Sequence, residues 1–302
     1  MFKSIKFISI ENAASLDDPS VSTRILDNLF RPCLPTHASS KGWVPVIDEV
    51  EDSLIVHAMG AALLRFQFEE KSVPSELAAK ELKKRIQSYT ERNGTEPDDT
   101  TVGEIFSEVH VDLLKKAFPK TQSVPVLIHP SRSFVAVSSL PDKKLKTLIR
   151  ELAIIFPESE FKAITPPSNS SVLMTNWVLE GKAPGRFDLG TECKLKEKSA
   201  KSAARTVQCK NQELTLDEIQ SFIRQGMQVT SLGVTWELDE SDALRFTIDE
   251  NLVIKKIKTP SSMKLEIEEN ESDSIIEHQQ SELSVWSRVV ADLYEDIIRV
   301  FF

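Results

Sequence analysis

Glu104, Glu108 and His110 place two carboxylates and an imidazole close together in the run TVGEIFSEVHVDLL, the side chains that general acid–base hydrolysis would use. On a helix Glu104 and Glu108 share a face at i,i+4, but His110 falls about 160° from Glu108 at roughly 100° per residue. The trio therefore reads as a solvated acidic face with a boundary histidine, and no catalytic residue is assigned. The other histidines, His37, His57, His129 and His278, are scattered without metal-ligand spacing. Cys33, Cys193 and Cys209 form no CxxC pair, so they read as free thiols in a reducing compartment and not as zinc ligands or disulfides. There is no GxxxxGK[ST], GxSxG, HExxH or dinucleotide fingerprint, and the nine glycines do not cluster into a phosphate cradle. Neither a metal nor a cofactor is expected.

Charge is the more informative signal. The chain carries 37 Lys and Arg against 46 Asp and Glu, a net charge of -9. Residues 265–302 hold ten acidic and two basic residues, which is -8 and leaves -1 for residues 1–264. An acidic sum thus leaves room for basic surfaces. Three segments concentrate positive charge: Lys143, Lys144, Lys146 and Arg150; Lys255, Lys256 and Lys258, with Lys264 beyond; and the stretch ECKLKEKSAKSAARTVQCK, Glu192 to Lys210, with Lys194, Lys196, Lys198, Lys201, Arg205 and Lys210. Charge clustering alone makes the first two groups the candidate contacts to a polyanion. No base-reading module accompanies them, so contacts would fall on phosphates and affinity would be sequence-independent and steeply salt-dependent.

These residues need elements to hold them. The 40% hydrophobic content excludes wholesale disorder, and no apolar run nears the roughly 20 residues that cross a membrane. MFKSIKFISIEN has no continuous apolar h-region, so the chain is read as cytoplasmic with Phe2 to Glu11 as its first strand. Val21 to Phe30 reads as a helix; SLIVHAM and ALLRFQFE read as antiparallel strands turning near Gly60. SVPSELAAKELKKRIQSY and TVGEIFSEVHVDLLKKAF read as two helices joined by the polar connection ERNGTEPDDT, with a stripe of Val102, Ile105, Phe106, Val109, Leu113 and Ala117 on the second. VPVLIH and SFVAVSS read as strands, and Asp142 to Phe156 as a helix with Leu145, Leu148, Ile149 and Leu152 on its apolar face. SVLMTNWVLEG is a helix stopped by Gly181; TLDEIQSFIRQG carries a capping box of Thr215 and Glu218.

Three further strands, QVTSLGVTWEL, ALRFTID and LVIKKIK, precede a closing amphipathic helix with the stripe Trp286, Val289, Val290, Leu293 and Ile297. Trp43, Trp177, Trp236 and Trp286 each fall in an apolar pattern and are expected in cores. In the basic stretch ECKLKEK and ARTVQCK alternate as two strands. Cys193, Leu195, Val207 and Cys209 fall on one face, and Lys194, Lys196, Lys198, Gln208 and Lys210 on the other. The expected architecture is α+β with mixed antiparallel sheets and a projecting helical hairpin. It is divided as 1–72 with 119–165, the hairpin 73–118, and a C-terminal α+β domain 166–302.

KGWVPVI at Lys41–Ile47, the helix end KKAFPK, TNWVLEG at Thr175–Gly181, CKNQELTLDEI at Cys209–Ile219 and LGVTWEL together resemble the family of the recombination-associated protein RdgC, in order over nearly the full length. The resemblance implies a nucleoid-associated protein without enzymatic activity. It further implies a ring-shaped homodimer whose positively lined hole encloses double-stranded DNA without regard to sequence, restraining RecA-mediated strand exchange. Two ring contacts of the family correspond by position to Phe118, at the end of the second hairpin helix, and to the polar pair Asn211 and Gln212. A lysine is usual where Asn211 stands, so a charged contact there is either weaker or taken over by Lys210. ERNGTEPDDT is acidic where the family is often lysine-rich. The resemblance does not assign the lysines of the hole. The rival readings are a protein-interaction module docking through the acidic C-terminal surface, and a metal-dependent nuclease working through scattered carboxylates.

Overall fold

A computed structural model describes residues 1–12, 16, 18–198, 204–239, 241–269 and 274–302. Lys201 of the basic stretch and residues 270–273 of the acidic one lie outside the described residues. In chain order the elements are β1 (Ser4–Glu11), α1 (Pro19–Asp27), β2 (Ser39–Val44), β3 (Val56–Ala58), β4 (Ala61–Lys71), α2 (Ser75–Asn93), α3 (Asp99–Lys116), β5 (Pro119–His129), β6 (Phe134–Val137), α4 (Asp142–Ile155) and β7 (Glu160–Ala163). They continue with α5 (Ser170–Glu180), β8 (Phe187–Glu197), β9 (Thr206–Cys209), α6 (Asp217–Arg224), β10 (Met227–Glu237), β11 (Ala243–Asp249), β12 (Ile254–Lys258), α7 (Ser261–Glu269) and α8 (Ile275–Phe301). The α+β expectation holds, and the named strand pairs are antiparallel. Two compact units share the chain: one holds Met1–Arg24, Pro45–Leu64 and Pro125–Phe302, the other Ile25–Val44 and Arg65–Val124.

The larger unit is built on a sheet ordered β6-β1-β12-β11-β10-β8-β9. Its register lines up one row of side chains across six strands: Ile5, Ile254, Ile248, Leu232, Cys193 and Cys209 stand opposite one another in turn. All six are buried. This row places both cysteines at the end of a hydrophobic layer, as the alternation of the basic stretch predicts. Met174, Trp177 and Val178 of α5, Ile219 and Ile223 of α6, and Trp286, Val289, Val290, Leu293 and Ile297 of α8 join the same core. The predicted stripe of the last helix is therefore its buried face.

Gly181, in the left-handed region at φ 69°, ends α5 as expected. The capping box does not form: α6 starts at Asp217 after an extended Leu216, and the Thr215 hydroxyl donates to Glu213 Oε1 at 2.5 Å. The helix is held at its start by tertiary packing, since Gln220 Nε2 donates to the Val178 carbonyl at 2.8 Å.

In the smaller unit β2 pairs with the Arg65–Glu70 part of β4, and Trp43 packs its ring 4.9 Å from Phe66, which lies 5.0 Å from Phe68. α1 ends at Asp27 and not at Phe30, because Phe30 N donates to the Trp43 carbonyl at 2.8 Å and Leu29 bridges Trp43. α2 and α3 take in both ends of the polar connection. Gly94 at φ 70° closes α2, and Asp98 caps α3 by accepting from Thr101 N at 2.8 Å. Of the stripe predicted on α3 only Val109 is fully buried; Phe106 is 46% exposed and Ala117 lies beyond the helix.

Candidate nucleic-acid interface

Period-two alternation along β1 separates the two faces of the larger unit's sheet. Phe7 points toward α8, its ring 5.1 Å from Tyr294. Ser4 and Lys6 point to the other face. There Ser4 Oγ accepts from Ser139 N at 3.0 Å and Lys6 Nζ pairs with Asp142 Oδ1 at 3.3 Å, which sets the start of α4 on that side. Lys255 stands opposite Ser4 in the register, so it belongs to the same face as α4. The two basic groups chosen by charge clustering thus belong to the same side of the sheet.

On α4, Leu145, Leu148, Leu152 and Ile155 are buried, Ile149 is half-buried, and Lys143, Lys146 and Arg150 are exposed. Lys144 is half-buried.

The three lysines of β12 could not all share one face of a regular strand. A bulge solves this: Arg245 stands opposite Lys258 and Thr247 opposite Lys255, so two steps on β11 match three on β12. Ile254 and Ile257 then both face the core while Lys255 and Lys258 both face out. The additional residue is Lys256, in the left-handed region at φ 55°, and its Nζ pairs with Glu192 Oε2 at 2.5 Å. Lys255 Nζ pairs with Asp249 Oδ2 at 2.8 Å.

Bulges in β8 and β10 adjoin this one. Gly190 and Gly233 meet there so closely that a Cβ on Gly190 would lie 2.8 Å from the Gly233 carbonyl carbon. A cavity of about 550 Å³ opens beside them. Its lining includes Lys210, Arg245, Lys256 and Lys258 against the single carboxylate of Glu192. Asn211, at φ 54°, lines it too, and Gln212 N donates to the Thr191 carbonyl at 3.2 Å. Arg245 belongs to no run of charge, although the alternation of ALRFTID, with Leu244, Phe246 and Ile248 buried, marks it as outward.

Acidic residues are handled differently on the opposite side. Glu282 of α8 pairs with the N-terminal amine at 2.6 Å, Asp292 with Arg186 at 3.8 Å, Asp296 with Arg186 at 2.6 Å, and Glu295 with Arg132. Among the described residues Lys143, Lys146, Arg150, Lys194, Lys196, Arg245 and Lys258 form no ion pair. The α8 carboxylates named here are ion-paired, whereas on the far face these seven cations stand unpaired beside the paired Lys6, Lys255 and Lys256.

Elsewhere, Phe118 is 94% exposed in the short link between α3 and β5, just past the helix end. Glu108 and Asp112 share Arg85, at 3.8 and 2.8 Å, an ordinary ion-pair network of a helical hairpin. Trp43, Trp177, Trp236 and Trp286 are all buried, as expected. Among the described residues no three His, Cys, Asp or Glu side chains converge as metal ligands, and no helix is long and apolar enough to cross a membrane.

Fold and surface together define an α+β protein that presents one open, cation-rich sheet face. The family model described as "Putative exonuclease, RdgC" matches residues 1–302. The chain belongs to the RdgC family. It is 24% identical over 300 residues to the recombination-associated protein RdgC of Tolumonas auensis, covering 98% of this chain and 96% of the relative. The protein of the same name from Psychromonas ingrahamii is 23% identical over 301 residues, 99% of this chain and 97% of the relative. That of Pseudomonas fluorescens is 24% identical over 276 residues, 91% and 88%.

Proposed function

We propose that this protein is a non-enzymatic, sequence-independent binder of double-stranded DNA. It works as a homodimeric ring around the duplex and so restricts RecA-mediated strand exchange at the nucleoid. The observation that carries the reading is the segregation of charge across one sheet: ion-paired carboxylates toward α8, and unpaired Lys143, Lys146, Arg150 and Lys258 on the opposite face. Lys144, Lys255 and Lys256 complete the phosphate-contacting set, the last two after exchanging a carboxylate partner for a phosphate. Phe118 forms one subunit contact and Lys210, Asn211 and Gln212 the other. The relatives' names place them in recombination, which fits a protein that occupies the duplex.

Gel shifts with unrelated duplexes across rising salt test this. Equal affinity for all sequences with a steep linear loss in log–log form is expected, since each neutralised phosphate contributes about -0.9 to the slope. Affinity indifferent to salt, or confined to one sequence, overturns it. The family description's exonuclease reading is checked in the same tubes with magnesium or manganese: shortening of the duplex would replace the non-enzymatic reading. Retention of no duplex even at low salt would favour a protein-docking module instead.

A further inference from the structure

We propose that the cavity between the bulges of β8, β10 and β12 is a discrete seat for two adjacent phosphates, with Arg245 and Lys258 as its ligating cations and Glu192 as a built-in restraint on a third, Lys256. This rests on the duplex-binding reading where the phosphates come from a DNA strand, but the site itself stands on local geometry.

Several features distinguish it from a solvated lysine surface. Arg245 and Lys258 are direct register partners, so the fork of a guanidinium and a single ammonium are held side by side on neighbouring strands. Neither has an ion-pair partner among the described residues. Gly190 and Gly233 leave no room for side chains on the floor, where their backbones approach within a Cβ contact of 2.8 Å. The open space beside them, about 550 Å³, falls in the range of small-molecule sites and has room for two adjacent phosphates with their waters. Lys256 occupies a left-handed backbone conformation that L side chains resist, and the bulge holds it against Glu192 at 2.5 Å. An entering phosphate competes with Glu192 for Lys256. The carboxylate therefore lowers the affinity of the empty site and keeps the grip on a continuous polyanion reversible.

The test uses full-length protein, inorganic pyrophosphate followed by calorimetry, ATP as a free-nucleotide source, and duplex DNA as the strand source. Arg245→Ala is expected to weaken pyrophosphate binding tenfold or more, and Glu192→Gln to strengthen it at least threefold. On duplex DNA the salt slope should shallow by about 0.9 in the first variant and steepen by about 0.9 in the second. Effects on pyrophosphate and ATP without any change in the duplex slope assign the seat to free nucleotides. If pyrophosphate does not bind and neither substitution alters the slope while wild-type still binds duplex, the seat is refuted and the duplex reading survives. If pyrophosphate binds as expected but duplex does not, the seat stands and the duplex reading falls.

Discussion

Trp236 donates its indole Nε1–H to Asp296 Oδ2 at 2.8 Å, tying the C-terminal end of β10 to the last helix inside the core. Arg186 Nε reaches the same oxygen at 2.6 Å, and its guanidinium lies 4.5 Å over the Trp236 ring. One carboxylate, 5% exposed, thereby satisfies a buried N–H and balances a half-exposed cation. Asp296→Ala is expected to cost about 3 kcal/mol, because it strands the indole donor and the guanidinium together. Urea unfolding gives the number; a loss under about 1 kcal/mol would show that Arg186 simply swings to solvent.

Cys193 and Cys209 close the buried row of the sheet as free thiols. Burial, reinforced by the neighbouring Cys209, pushes the Cys193 thiol up to about 12 from an ordinary 9.0. The folded state thus holds a proton that the unfolded state releases, so this contribution is complete below pH 9 and is lost as pH rises from 9 toward 12. Stability measured across that range should fall more steeply for wild-type than for Cys193→Val. A disulfide-exchange reagent at pH 8 should label Cys193 only after unfolding.

Gly42, in the KGWVPVI stretch, is required by a neighbour and not by its own torsions. A Cβ there would sit 2.4 Å from both Cα and N of Phe30. Gly42→Ala should cost about 2 kcal/mol or more through displaced backbone. Loss of Trp43 fluorescence features before global unfolding would report the disturbed contact; an unchanged midpoint would mean the 28–30 segment yields freely.

Phe118 offers a large apolar surface with nothing folded over it. Phe118→Ala should leave unfolding stability within about 0.5 kcal/mol, while sedimentation at micromolar concentration should shift toward monomer. An unchanged dimer would remove this residue from subunit contact.

Much of the fold is legible because alternation and helical periodicity follow burial directly. The strands ECKLKEK and ARTVQCK, the stripe of α8 and the Gly181 stop all depend on neighbours within a few residues. The failures are tertiary. The start of α6 is settled by Gln220 reaching Val178, which outweighs the local Thr215 and Glu218 pattern. α1 stops early because Trp43 claims the backbone of Asn28 and Phe30. For the candidate site, runs of lysine were readable, yet their sidedness was not. The bulge that turns Lys255 and Lys258 to one face has no glycine to announce it, and Glu192 meets Lys256 from 64 residues away.

That bulge sets two selective demands against each other. Lys256 sits where glycine would be comfortable, so Lys256→Gly should raise stability by about 1 kcal/mol, readable as a higher melting temperature, while deleting a cation and releasing Glu192. A chain tuned only for folding would carry glycine at this position. Lysine at position 256 is a place where the sheet gives up stability to hold a charge.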